Sequence, residues 1–209
     1  HRREIIDSRV DSVRILGEAI GRCMQPPKVF VQLAGVGIYG DKGERICDET
    51  TAPGDDFVSE VCKKWEAAFD SVDSPNTRKV LLRLSVVLGR NGGFLHVLSR
   101  LTRWFLGGQV GEGRQYISWI HIADLSRMIL QAIDQEQLTG VFNATAPNPV
   151  TNAELMRGLR RALHRPWSPP VPELAARIGS RLMGTEESLA LVSQRCIPKR
   201  FLEKDFEFE

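Results

Sequence analysis

The chain has 209 residues, enough for one domain or for a large one with a small appendage, and its 42% hydrophobic and 26% charged content is that of a globular protein. A formal net charge of +2 without a basic, aromatic-laced stripe argues against a nucleic-acid partner, and no apolar run reaches membrane-spanning length. Cys23, Cys47, Cys62 and Cys196 lack CxxC spacing and a nearby His, and the opening residues do not read as a signal peptide. The expectation is therefore a cytoplasmic protein with reduced thiols, no metal site and a small-molecule substrate.

Residues 3–25 read as an amphipathic helix, with Ile6, Val10, Val13, Leu16, Ile20 and Cys23 at helical spacing and Pro26-Pro27 as the stop. Lys28–Leu33 is a buried-type strand, followed by a flexible loop, Ala34-Gly35-Val36-Gly37, and a polar loop over Lys42–Asp56. A helix is expected from about Asp56 to Val72, capped by Asp55 or Asp56. Lys79–Gly89 is a near-continuous apolar run, the mark of a strand buried on both faces. Asn91-Gly92-Gly93 turns the chain into a helical stretch over Phe94–Leu106.

In Gly111–Leu125, two glycines permit a tight turn, Tyr116–Ile122 is β-branched and aromatic, and Asp124 stands as a helix N-cap. Gly140–Ala146 gives another short strand, and Thr151–Glu154 has the form of a capping box. A Pro-rich connection over Arg165–Pro172 leads to helical patterns at about 172–183 and 186–194 and to a small basic cluster of Arg195, Lys199 and Arg200. Strand–helix alternation over 28–146 predicts an α/β fold with a largely parallel sheet, and polar groups where such strands end are where ligands sit. No GxGxxG motif follows the first strand.

Several stretches carry a resemblance: Ser8-Arg9-Val10, GVGIYGDKGE at 35–44, KKWEAA at 63–68, LLRLSVVLGRNGG at 81–93, LGGQVGEGRQYISWIHIADL at 106–125, GVFNATAPNPVTNAEL at 140–155 and LVSQRCIPKR at 191–200. Together they resemble the atypical extended short-chain dehydrogenase/reductases, the SulA-type epimerase family proteins, and are similar to the 39U members of that superfamily. The resemblance implies an NAD(P)-binding, Rossmann-like, doubly wound parallel sheet over 1–150 and a small α-rich substrate-side domain over 151–209. It implies NADP, or NAD, as cofactor and a chain that starts mid-domain, after the family's glycine-rich loop, and stops before a last helix; the expected assembly is a homodimer. The expected function is an NADP(H)-dependent oxidoreductase or epimerase-like protein; the alternative is a catalytically degenerate dinucleotide-binding sensor or interaction module.

Anchored on Lys64-Trp65-Glu66, the family's acid/base Tyr falls on Val58, with Phe57 beside it, and its Lys falls on Cys62. The Ser position falls on Ala34 or Gly35 and the Asn position near Arg9. The usual groups are thus absent, and the proton-transfer candidates become Tyr39, Tyr116 and His121. An imidazole exchanges protons near neutral pH, although family members use Tyr39 and His121 equivalents structurally. Ala34, Gly35, Val36, Leu84, Ser85 and Val86 are the expected cofactor contacts, made largely through backbone. Arg114, Trp119 and Arg103, with Trp104 beside it, are the substrate candidates, because guanidinium groups clamp anions. The position of the diphosphate-binding Arg of nucleotide-sugar epimerases falls on Ile117.

Overall fold

The computed structural model describes residues 2–90, 92–176 and 192–209. A long helix α1 (Arg2–Arg22) leads to strand β1 (Val29–Gly35) and a 3-10 turn over Val36–Tyr39. Then come β2 (Ile46–Cys47), α2 (Phe57–Asp70), β3 (Arg78–Leu84), β4 (Val86–Leu88) and α3 (Gly93–Arg103). These are followed by β5 (Tyr116–Ile117), β6 (Trp119–His121), α4 (Ile122–Asp134), β7 (Gly140–Ala144), β8 (Val150–Thr151) and α5 (Asn152–Ala162). The described chain ends with β9 (Arg195–Cys196) and a short α6 (Lys199–Leu202).

A parallel three-stranded sheet, ordered β1-β3-β7, forms the centre. Side chains alternate across its middle strand, as the pleat requires. Val80 and Leu82 join Met128 and Leu125 of α4 on one face; Leu81 joins Val13 of α1 and Phe69 of α2 on the other. The sheet is therefore covered by helices on both faces, the doubly wound arrangement of a Rossmann-like fold. α1 closely approaches the chain just past α2 at Gly17, where an added Cβ would stand 2.6 Å from Val72 Cγ2.

Several expectations are corrected. β1 runs on through Ala34 and Gly35, which register against Arg83 and Leu84, so the flexible loop is strand and then 3-10 turn. The apolar run 79–89 is two strands broken at Ser85. Ser85 N–H donates to Ala144 O of the central sheet, and Val86 N–H donates instead to Ser118 O, after which β4 pairs with β6. The aromatic strand likewise splits at Ser118, leaving β5 antiparallel to β8. Within the polar loop, β2 pairs with β9, a contact local patterning does not show.

The helix caps divide in the same way. Asp56 Oδ1 accepts Ser59 N–H at 2.7 Å, and Thr151 and Glu154 form the reciprocal capping box. Asp124 is not an N-cap: His121 holds that position, its Nδ1 facing Ala123 N–H at 3.4 Å. Asp124 lies buried in the first turn of α4, paired with Arg127 and accepting Glu209 N–H.

The patterns at 172–183 and 186–194 lie largely outside the described residues. Residues 173–176 are helical, whereas 192–194 are extended, with Gln194 N–H donating to Tyr116 O. The chain end returns to the sheet, where Phe142, Phe201, Phe206 and Phe208 stack in series with centroids 4.9–5.4 Å apart. The outer edge of β7 is closed by side chains. Glu49 Oε1 accepts Asn143 N–H, while the Arg200 guanidinium donates to Val141 O and Thr139 O. These contacts protect a strand edge that would otherwise present unpaired backbone.

Candidate functional site

The register places the carboxyl ends of the central strands side by side: Gly35 pairs with Leu84, and Leu84 with Ala144. Ala34–Val36 and Leu84–Val86, far apart in sequence, thus form one crest of small and aliphatic residues. Trp119 borders it, because it registers against Val86 and its carbonyl accepts Ala146 N–H. Its indole Nε1–H donates to Asn148 O at 3.1 Å, which fixes the ring beside the crest. This is where ligands bind in open α/β sheets.

Helix α2 flanks the crest. Val58 packs on Gly37 so tightly that a Cβ there would lie 2.6 Å from Val58 Cγ1, and Cys62 Sγ lies 3.6 Å from where a Gly35 Cβ would stand. Burial first, and then the charge of Glu66, pushes the Cys62 thiol up to about 11, so it stays protonated at neutral pH. Toward the crest, α2 therefore presents an aliphatic group at Val58 and a neutral thiol at Cys62.

The ionisable groups lie beneath. Arg83, set between Leu82 and Leu84 on β3, donates through Nε and Nη2 to Glu66 at 2.9 and 2.8 Å. Its Nη1 donates to Tyr39 Oη at 2.9 Å, and Tyr39 Oη donates to Asn143 Oδ1 at 2.7 Å. Asn143 Nδ2 donates onward to Ile197 O. The chain of bonds links α2, β3, the 3-10 turn, β7 and the C-terminal segment. Tyr39 is fully buried, and its burial holds the hydroxyl well above the usual phenol range despite the opposing Arg83 charge. Sequence reasoning missed this network, although a charged residue inside an apolar strand was its signal.

The remaining candidates are spread along the rim. Tyr116 is half-buried; its N–H donates to Ser193 Oγ, and Arg195 stacks on its ring at 4.7 Å. His121 is exposed at the start of α4 rather than buried. Arg114 is exposed and pairs with Glu112 at 3.3 Å. Arg103 ends α3 on the surface, where its carbonyl accepts Arg165 Nε–H at 3.2 Å. The structure joins Trp119 to the crest and places Arg103 against the connection after α5. Surface depressions also lie along α1 and α2, one lined by Arg14, Gly17, Val72 and Asp73, but they carry none of these groups.

The parallel sheet, its crest and the flanking helix define a dinucleotide-fold protein of the epimerase class, and the chain belongs to the NAD dependent epimerase/dehydratase family, whose sequence profile matches residues 1–144. Within that family it is similar to the human epimerase family protein SDR39U1, at 36% identity over 208 residues, covering 99% of this chain and 70% of the human one. The Arabidopsis thaliana protein named epimerase family protein SDR39U1 homolog, chloroplastic, is 37% identical over 183 residues, and the match covers 88% of this chain and 52% of the plant protein. A crystal structure of the human SDR39U1 with NADPH superposes with a TM-score of 0.91 at 34% identity, covering 100% of this chain and 70% of that one. The chain thus spans about half of the plant relative's length.

Proposed function

We propose that the protein is an NADP(H)-dependent oxidoreductase or epimerase-like protein acting on a small anionic substrate. The crest carries the proposal: three parallel strands end together at Gly35, Leu84 and Ala144, and the related human structure contains NADPH. Ala34, Gly35, Val36, Leu84, Ser85 and Val86 would hold the nicotinamide end through backbone groups and small side chains. NADPH, when bound, supplies the hydride. NADP is preferred to NAD on this likeness.

The charge of the rim supports an anionic substrate. Residues 74–111 and 155–172 contain no acidic side chain, yet they carry Arg90, Arg100, Arg103, Arg157, Arg160, Arg161 and Arg165 beyond β3. The two stretches meet: Arg160 donates to Gly107 O and Arg165 to Arg103 O. Arg103 would clamp the anion, Trp119 would wall the pocket, and Arg114 would reach it from the glycine turn. Proton transfer would fall to His121 or Tyr116, since Tyr39 is committed to the buried network. The division into 1–150 and 151–209 is also proposed, supported by α5 leaning on α3, although residues 195–208 return to the sheet. Exposed Ile15 and Leu16 on α1 support a homodimer. Among the described residues no helix is long and apolar enough to cross a membrane; a cytoplasmic location is proposed from cysteine usage.

The aliphatic and thiol groups at Val58 and Cys62 favour a second reading, dinucleotide binding without turnover. NADPH titration followed by nicotinamide fluorescence, then absorbance with aldehydes, ketones and quinones, separates the two. Binding with consumption supports the enzyme; binding without consumption across the panel supports the module. Gly35 has an extended backbone (φ −136°) that any residue can adopt. Gly35→Leu, which fills the space between crest and α2, is therefore expected to weaken NADPH binding roughly tenfold, about 1.4 kcal/mol. Unchanged affinity in that variant would remove the crest from the cofactor site.

A further inference from the structure

Cys47 ends β2 and Cys196 ends β9; the two strands run parallel with these residues in register. In-register residues on neighbouring strands stand about 4.8 Å apart with side chains on the same face, inside the roughly 4.4–6.8 Å Cα separation that disulfides span. Both side chains are fully buried in one small core with Val36, Ile38, Tyr39 and Cys62. The backbone around them is pinned: Ile197 N–H donates to Cys47 O at 2.9 Å, and Cys196 N–H to Ser118 Oγ at 2.8 Å. The other cysteines are placed differently. Cys62 sits on α2 against Gly35, and Cys23 is exposed just past α1.

We propose that Cys47 and Cys196 form a reversible disulfide that clasps the C-terminal segment to the β2 loop, with a small disulfide such as oxidised glutathione as the oxidant. The Cys47 thiolate attacks one glutathione sulfur, breaks the glutathione S–S bond and releases one glutathione thiolate. The Cys196 thiolate then attacks the Cys47 sulfur of the mixed disulfide and expels the second glutathione. Two protein thiols are oxidised, one glutathione disulfide is reduced to two thiols, and the protons pass to solvent.

The exchange runs while both thiols are open to solvent, before the pair buries; in the folded chain the two sulfurs differ. The hydrogen bond from the Cys196 thiol, followed by the Lys42 and Arg45 charges, holds Cys47 below its usual range despite burial, whereas Cys196 is pushed up by that same bond and by burial. The clasp would stand next to Ile197, whose carbonyl takes the last bond of the Tyr39 network, and near Arg200, which seals β7. Oxidation would fix that segment to the β2 loop covalently, and reduction would leave it held by its packing and hydrogen bonds alone.

The test uses the unmodified chain, refolded from denaturant in glutathione buffers of graded oxidised-to-reduced ratio so that both thiols are accessible before they bury. Acid quenching, alkylation and peptide mass mapping then count thiols and identify linked peptides. The expected result is loss of two thiols, one linked pair containing Cys47 and Cys196, and reversal by dithiothreitol. The clasp closes a loop of about 150 residues, so the oxidised form should unfold about 10 °C higher than the reduced one. Cys62→Ala should leave the linkage intact, and Cys196→Ala should abolish it. Four free thiols at every ratio, linkage through Cys23 or Cys62, or a linked pair with an unchanged unfolding midpoint would each overturn the proposal.

Discussion

The crest of the sheet and the interior just below it divide the labour of this domain in an unexpected way. The crest is small and aliphatic, with Val58 and the neutral Cys62 of α2 beside it. The interior holds the hydrogen-bonding groups, Tyr39, Glu66, Arg83 and Asn143, all buried and bonded to one another. Groups that would do acid/base work at a surface here serve as scaffold: they hold α2, β3 and the 3-10 turn in the positions that shape the crest. Residue type alone therefore says little about catalysis until burial and partners are known.

Four changes probe that division. The largest effect belongs to Glu66→Ala, which strands the Arg83 guanidinium in the core. Removing one partner of a buried pair costs about 3–5 kcal/mol, read as a lower free energy of unfolding in urea. Adding Arg83→Met should recover much of it. A Glu66→Ala protein of unchanged stability would mean that the network is not scaffold.

At the crest the expected penalty is steric. Gly37→Ala places a methyl 2.6 Å from Val58 Cγ1, and overpacking of this kind costs about 1–3 kcal/mol. Combining it with Val58→Ala should restore stability. If the pair is no better than the single variant, α2 does not rest on the 3-10 turn as described.

A smaller effect is expected with acid at the base of the C-terminal segment. The Thr50 hydroxyl, with Lys199 at 3.2 Å, holds the Asp48 carboxyl down to about 2. A depressed carboxylate stabilises the fold above its unfolded pKa near 3.8, and that contribution is lost as pH falls from there through 2. The site is open to solvent, so the effect is below about 1 kcal/mol. Wild type should lose this increment between pH 4 and 2, and Asp48→Asn should lack it; parallel pH profiles would refute the assignment. The smallest effect belongs to Arg114→Ala. Its pair with Glu112 is 83% and 79% exposed, so the unfolding midpoint should stay within about 0.5 kcal/mol of wild type, while affinity for an anionic substrate should fall. A large stability loss would make Arg114 structural.

Much of the fold was legible because local patterns determine it. The periodicity of α1, the Asp56 cap, the Thr151–Glu154 box and the doubly buried strand at 79–84 all follow from neighbours within one or two turns. What local patterns miss is pairing at long range. The break at Ser85 exists because its partner changes from Ala144 to Ser118, and β2 is a strand only because residues 195–196 return to it. Asp124 had the composition of a cap, yet α4 begins two residues earlier, which moves it into the interior. Within the site, resemblance named Ala34–Val36 and Leu84–Val86 as expected cofactor contacts, and the sheet register shows only that these two stretches lie side by side. The burial of Tyr39 depends on Asn143, 104 positions away, and no spacing rule announces it.

The most direct measurement is a crystal structure of the protein with NADPH. The account predicts the nicotinamide over Gly35 and Leu84–Val86, beside Trp119, with Tyr39 still bonded to Asn143 and Arg83. A nicotinamide bound away from the crest, or a Tyr39 hydroxyl turned out of its network to face the nicotinamide, would contradict it.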